Sequence, residues 1–223
     1  MEKERSFYGK VAIVGPSGSG KSYLGKTADK NTTGYINMEL KPLPFKTEPF
    51  KYLGQPKNWA GFMACLKDYG ANKDIKRIIV DSQSMAFEKL NNEMGKNFTG
   101  WDVPKNYNKQ VYEYLELLKS IEKDIIILAH DELVKIDDGT KQRRMSVHNK
   151  EYEGKIERQY TVVLYTGTRI KEGKPEYFLK TFEVDTSAKT PENLFPSGKT
   201  NENLLEIPND ASFIFSALEK YYS

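Results

Sequence analysis

Short apolar runs alternating with stretches of helical periodicity set the pattern of this chain. Residues 10–14 (Lys-Val-Ala-Ile-Val) are apolar and β-branched, end at Gly15, and predict a buried strand. Residues 15–20 are glycine-rich and residues 21–30 have helical composition, so the first unit reads strand, loop, helix. Residues 33–38 (Thr-Gly-Tyr-Ile-Asn-Met) predict a second strand ending at Glu39. Pro42, Pro44 and Pro49 then interrupt any regular element and predict a long surface loop. Over residues 58–69, Trp59, Phe62, Met63, Leu66 and Tyr69 recur at helical spacing; residues 75–81 (Ile-Lys-Arg-Ile-Ile-Val-Asp) predict a strand ending on an acid.

Residues 84–94 read as a helix with Met85, Leu90 and Met94 inward, followed by a loop over 95–104. Residues 107–121 form a strongly amphipathic helix, with Val111, Tyr114, Leu115, Leu118 and Ile121 on one face. Residues 124–129 are the most hydrophobic strand and end at His130. The polar, basic stretch 136–154 is the longest candidate loop. Residues 160–170 and 176–183 alternate as two strands around Glu172-Gly173-Lys174-Pro175 and predict an antiparallel hairpin. Residues 188–202 are turn-rich, and residues 211–222 close the chain as a helix. Strand and helix alternating in this order predict an α/β fold, a mostly parallel doubly wound sheet with a C-terminal antiparallel hairpin. With no linker visible, residues 1–223 read as one domain, its core about 7–189 and a C-terminal extension and helix about 190–223.

Composition narrows the class. The chain has 223 residues, 38% hydrophobic and 29% charged, with mean hydropathy −0.66. Its longest apolar run, Ile-Ile-Ile-Leu-Ala at 125–129, is far short of the roughly 20 residues that span a bilayer. The charged start Met-Glu-Lys-Glu-Arg predicts no secretory signal. One cysteine, Cys65, excludes an internal disulfide framework, and two histidines, His130 and His148, leave too few ligands for a structural zinc. A cytoplasmic compartment follows as the expectation. Lys and Arg number 34 against 31 Asp and Glu, so the net charge of +3 does not by itself announce a nucleic-acid binder. Locally, residues 141–150 hold Lys141, Arg143, Arg144, His148 and Lys150 with no acid, beside Asp137-Asp138. On its own that cluster reads as a solvated loop.

Gly15-Pro16-Ser17-Gly18-Ser19-Gly20-Lys21-Ser22 is the full phosphate-loop pattern, placed after a strand and before a helix. Glycines let the backbone curl around a phosphate, and successive N–H groups with the helix start form an anion cradle. Lys21 places a positive charge on the β- and γ-phosphates, Ser22 offers its hydroxyl to Mg²⁺, and Tyr23 continues the cradle. Asp81, at the end of an apolar strand about 60 residues on, is the expected second partner of Mg²⁺. Ser82 reads equally as its helper or as the cap of the next helix. Two residues compete to orient water or sense the γ-phosphate: Glu39, ending the second strand, and His130, ending the strand expected beside the phosphate loop. Asp131 and Glu132 are weaker candidates.

The phosphate loop, the strand ending at Glu39, the Val80-Asp81-Ser82 strand end, the apolar strand ending at His130, the basic loop and the hairpin together resemble the RecA-like core ATPases. More narrowly they resemble small phage-encoded P-loop proteins of the AAA-domain nucleotide-binding group, which includes RecA-like single-strand annealing recombinases. The likeness spans roughly residues 10–189. It implies ATP and Mg²⁺ as cofactors and two loops facing single-stranded DNA. The first would be about 95–109, with Lys96, Phe98, Trp101, Lys105 and Lys109; the second about 135–155, with Lys141, Arg143, Arg144, His148 and Lys150. Cations neutralise phosphates and an aromatic ring offers a base-tolerant stacking platform, although Trp101 reads equally as a loop anchor. The family also implies a cation reaching a neighbour's ATP site in trans, for which Lys180 and Lys189 are the nearest matches. No glutamate clearly matches the family's catalytic one, so hydrolysis is expected to be weak and DNA-stimulated. The function implied is an ATP-dependent single-stranded DNA-binding protein for recombination or annealing in the host cytoplasm. It would be a homo-oligomeric ring or filament with ATP at its interfaces, with a single-strand-binding protein as a further candidate partner. Two other classes stay open: a nucleotide-kinase-type phosphotransferase with 141–144 as a lid, and a non-hydrolysing assembly protein that uses ATP as a switch.

Overall fold

The computed structural model describes residues 5, 7–135, 139–198 and 202–223. Most of the charged start, Asp137-Asp138 and part of the turn-rich segment 188–202 lie outside the described residues. The strands are β1 (Lys10–Val14), β2 (Thr33–Asn37), β3 (Tyr52–Gly54), β4 (Arg77–Asp81), β5 (Asp124–Ala129), β6 (Asp131–Lys135), β7 (Lys141–Met145), β8 (Val162–Lys171), β9 (Lys174–Lys180) and β10 (Glu206–Pro208). The helices are α1 (Trp59–Ala71), α2 (Gln83–Asn97), α3 (Asp102–Ser120) and α4 (Ala211–Tyr222).

Eight strands make one sheet in the order β10-β9-β8-β1-β5-β4-β2-β3, and β6 with β7 forms a separate two-stranded ribbon. The pairs β3–β2, β2–β4, β4–β5, β5–β1 and β1–β8 are parallel, while β8–β9 and β9–β10 are antiparallel. This is the α/β architecture expected from the pattern. Every residue of β1, β2 and β5 is buried, because both faces of a parallel sheet are covered. Alternation divides the cover: Ala12 and Val14 pack with α1, α2 and α3 through Phe62, Phe87 and Tyr114, whereas Val11 and Ile13 pack with Leu24, Phe215 and Leu218 on the α4 side. Helix starts follow local chemistry. Asn58, Ser82 and Asp210 each accept a backbone N–H three residues on, from Gly61, Met85 and Phe213, and such a cap contributes roughly 1 kcal/mol.

The phosphate loop is followed not by the helix expected over 21–30 but by a short 3-10 helix, Ser22–Thr27, with Ala28 already extended. Gly25 lies so close beneath Tyr35 that a Cβ there would meet the ring at 2.7 Å. The loop expected over 95–104 shrinks to 98–101, because α2 runs to Asn97 and α3 starts at Asp102. Gly95 sits on an open helix face with nothing within 4 Å, and Pro104 falls in the first turn of α3, where its missing N–H costs nothing. Within the long loop expected over 136–154, Lys141–Met145 is a strand, since β7 pairs with β6 through Glu132↔Arg144 and Leu133↔Arg143. β3 and β10 are short edge strands that the apolar pattern does not signal. In the hairpin the turn is Glu172-Gly173, both at positive φ (52° and 74°); that leaves Lys174 and Pro175 inside β9 and suits the right-handed twist of the strands.

Parallel direction puts the carboxyl ends of β1, β2, β4 and β5 at one edge of the sheet, and ligands of such sheets lie in the crevice outside those ends.

Candidate nucleotide site

The phosphate loop leaves β1 at Gly15, whose N–H donates to the Ala129 carbonyl at 3.2 Å and ties the loop to β5. Gly18 and Gly20 have φ of +77° and +85°, a region that favours glycine. The loop is also walled in: a Cβ on Gly15 would lie 1.8 Å from Thr166 Oγ1 on β8, and one on Gly20 would lie 2.5 Å from the Tyr177 ring on β9. The Ser19 hydroxyl is buried in the loop with no hydrogen-bond partner. Beside the loop lies a cleft of about 400 Å³ that brings together Lys21, Ser22, Glu39, Asp81 and His130. These come from four segments separated by up to 109 residues.

Lys21 is buried, and its ammonium donates to the carbonyls of Gly15 and Pro16, both at 2.7 Å. Burial lowers its pKa to about 8, against the opposing pull of Asp131, Asp81 and Glu39. Asp81 is buried too, and burial raises its pKa above the usual carboxylate value. Two hydroxyl donors oppose that rise: Tyr35, and Ser22 of the phosphate loop. The Tyr35 hydroxyl donates to Asp81 Oδ2 at 2.6 Å from the adjacent strand β2. Ser82 caps α2 and also lines the cleft.

His130 bridges the two sides of the cleft. Its Nδ1 lies 3.5 Å from Lys21 Nζ and its Nε2 lies 3.6 Å from Glu39 Oε1. The backbone N–H of His130 donates to Ser84 Oγ at 2.8 Å. Burial raises the Glu39 pKa, but the hydrogen bond and charge of Lys41, then those of His130, outweigh it and the net shift is downward. Glu39 therefore stands in the cleft as an ionised acceptor able to orient a water molecule.

The residues fit a nucleoside triphosphate with Mg²⁺. Among the described residues no group of three or more His, Cys, Asp and Glu could hold a metal by itself. That suits Mg²⁺, which is commonly bound by one or two carboxylates plus substrate phosphates; Ser22 and Asp81 would supply the protein side. The buried, unpaired Ser19 hydroxyl and the Cβ-free cradle at Gly18 and Gly20 suit an anion. The six-residue 3-10 helix adds little dipole, so the cradle rests on loop N–H groups and Lys21.

Outside the cleft the expected DNA-facing residues are scattered differently from the sequence reading. Lys96 ends α2, while Lys105 and Lys109 lie in α3. Trp101 is 90% exposed, so it does not anchor the loop on the core. Arg143 is not a free cation: it pairs with Asp131 at 2.7 Å and Glu183 at 3.1 Å. Arg144 donates to Gln142 Oε1, and Lys141 and Lys150 are exposed. Lys180 lies at the sheet end of β9, paired with Glu183, and Lys189 is exposed and donates to the Arg158 carbonyl at 3.5 Å. Three residues that sequence reasoning missed shape the site: Tyr35 on Asp81, Tyr177 against Gly20, and Asn209, whose amide donates to the Gly20 carbonyl at 2.9 Å. Only strand adjacency brings them there.

A family model described as an AAA domain matches residues 8–191. No curated protein matches the chain. No helix among the described residues is long and apolar enough to cross a membrane.

Proposed function

The chain belongs to the AAA-domain family of P-loop NTPases, whose members typically bind ATP with Mg²⁺, and from that premise we propose that it is an ATPase whose turnover is coupled to single-stranded DNA. One observation supports the coupling above others. His130 follows the end of β5 and lies between Lys21 and Glu39, and the β6–β7 ribbon starts at the next residue, Asp131. Its far end returns to the same point, because Ser146 N–H donates to the His130 carbonyl at 2.8 Å. The residue facing the γ-phosphate is thus the root of the ribbon carrying Lys141 and Arg144.

In this reading Lys21 exchanges its two carbonyl partners for β- and γ-phosphate oxygens. Ser22 and Asp81 would hold Mg²⁺, which would supply positive charge against those phosphates. Water attacks the γ-phosphorus, the bond to the bridging β–γ oxygen breaks, and ADP and phosphate leave. Glu39 orients the water and receives its proton, while His130 holds Glu39 and reports on the γ-phosphate. Lys141, Arg144, Lys150, Lys96 and Lys105 supply cations to the DNA backbone, and Trp101 offers its ring to a base. Arg143 shapes the ribbon through its ion pairs. A second copy completes each site, with Lys180 or Lys189 released from its own-chain partner to act in trans, in a ring or filament. A role in recombination or annealing follows from such an activity.

The test is Mg-ATP hydrolysis with and without single-stranded DNA. Wild type is expected to be slow and DNA-stimulated, Lys21→Ala inactive, and Lys141→Ala/Arg144→Ala active without stimulation. Hydrolysis indifferent to DNA refutes the coupling; phosphate transfer to a nucleoside monophosphate would instead support a phosphotransferase, and tight binding without turnover an ATP switch.

A further inference from the structure

The cleft has two chemically different ends. Glu39, Asp81 and His130 line one, on the β5–β4–β2 side of the phosphate loop. On the opposite side β8 and β9 overhang the loop, and β9 brings the Tyr177 ring against Gly20. Tyr177 and Tyr23 both line the cleft, are partly exposed, and have ring centroids 6.0 Å apart. Phe45 extends the row, 6.3 Å from Tyr23 and edge-on to it. Lys26 Nζ lies over the Tyr23 ring at 5.2 Å and donates to its hydroxyl at 3.0 Å, which holds that ring in place.

A phosphate chain seated from Gly15 to Ser22 with its γ end toward Glu39 and His130 directs its nucleoside toward these rings. Resting on the ATPase reading above, we propose that the base of the bound nucleotide stacks on Tyr177 and Tyr23 and that the site takes nucleoside triphosphates with little choice between adenine and guanine. Stacking tolerates any base, because every base has a π-face. Strong choice needs side chains that hydrogen-bond the base edge, and rejection by an unmatched polar site is what gives large discrimination. At the ring end the cleft is lined by Tyr23, Tyr177 and Pro44; Asn209 commits its amide N–H to the Gly20 carbonyl, and its unpartnered Oδ1 is buried.

The experiment is a binding titration of wild type, Tyr177→Ala, Tyr177→Phe and Tyr23→Ala with Mg-ATP, Mg-GTP and inorganic tripolyphosphate. Tripolyphosphate carries the phosphates without a base, so it reports whether the loop of each variant is intact. Wild type is expected to bind ATP and GTP within about threefold of each other. Tyr177→Ala should weaken both by about tenfold, as the loss of one stacked ring does, and leave tripolyphosphate unchanged; Tyr177→Phe should restore both, and Tyr23→Ala should behave as Tyr177→Ala. A wild-type preference for one purine above about thirtyfold overturns the proposal, as does equal weakening of tripolyphosphate and ATP in both alanine variants or unchanged ATP binding in both. Wild type that binds none of the three ligands refutes the ATPase reading itself, and the base platform with it.

Discussion

The hydrogen bond between Tyr35 and Asp81 decides how much stability this chain gives up to keep a buried carboxylate. Both residues are almost fully buried, and the hydroxyl reaches Oδ2 at 2.6 Å. Tyr35→Phe removes one oxygen and keeps the ring on Phe50, whose centroid lies 4.7 Å away. A hydrogen bond to an ionised acceptor contributes about 1.5–3 kcal/mol, one between neutral groups about 0.5–1.5 kcal/mol. Burial raises the Asp81 pKa above its unfolded value. Between the two values the folded state binds more protons, so stability falls as pH rises through that window, and neutral pH is on the unfavourable side. Asp81→Asn removes the charge and keeps an oxygen that can accept from Tyr35. At pH 7 without nucleotide, Tyr35→Phe should lower stability by about 2 kcal/mol, which for a chain of this size lowers Tm by roughly 4–8 °C. Asp81→Asn should raise stability by about 1 kcal/mol, while Tyr35→Phe in that background should cost only about 1 kcal/mol. The cycle therefore has a coupling of about 1 kcal/mol, measurable by urea or thermal unfolding. Mg-ATP should raise the Tm of wild type more than that of Asp81→Asn. A lower Tm for Asp81→Asn, or the same Tyr35→Phe loss in both backgrounds, would refute an ionised Asp81 held against its burial.

Other outcomes follow from the same geometry. Lys21, with a pKa near 8 from burial, loses its charge as pH rises through that value, so ATP affinity should fall between pH 7 and 9.5 and stay weak and flat in Lys21→Ala, read by titration at each pH. Gly20→Ala combines a φ of +85° with a methyl 2.5 Å from the Tyr177 ring and should destabilise by about 1–2 kcal/mol while abolishing nucleotide binding; Gly95→Ala, with nothing within 4 Å in α2, should stabilise by about 0.5–1 kcal/mol. Arg143→Ala leaves Asp131 and Glu183 without their shared cation, so hydrogen exchange over 141–145 should rise at least tenfold while the rest of the sheet stays protected.

How far the fold could be read depended on what holds each element. β1, β5 and α4 begin and end where the apolar pattern puts them, because two covered faces demand apolar residues at every strand position and a repeating stripe on the helix. β7, Lys-Gln-Arg-Arg-Met, has almost no apolar signal, since its ladder with β6 is held by backbone pairing and by the Arg143 pair with Asp131. β3 and β10, three residues each at the sheet edges, need only one neighbour and carry no pattern long enough to detect.

The site divides along the same line. Residues that end a strand were legible: Gly15, Glu39, Asp81 and His130 each follow an apolar run, and parallel strands bring such ends to one edge. Residues that act across strands were not. Tyr35 is 46 positions from Asp81 and looks like any core tyrosine, and Tyr177 belongs to a hairpin that gives no hint of reaching the phosphate loop. The ribbon is the consequential case. Read as a loose basic loop, residues 141–144 could touch DNA without the nucleotide site being affected. The segment is instead a strand: its partner strand begins one residue after His130, and Ser146, just past its own end, donates to the His130 carbonyl, so both ends of the ribbon are tied to the residue between Lys21 and Glu39. A sequence can place a cation near a motif; only the ladder shows that the cation's strand and the cleft residue are joined by backbone hydrogen bonds.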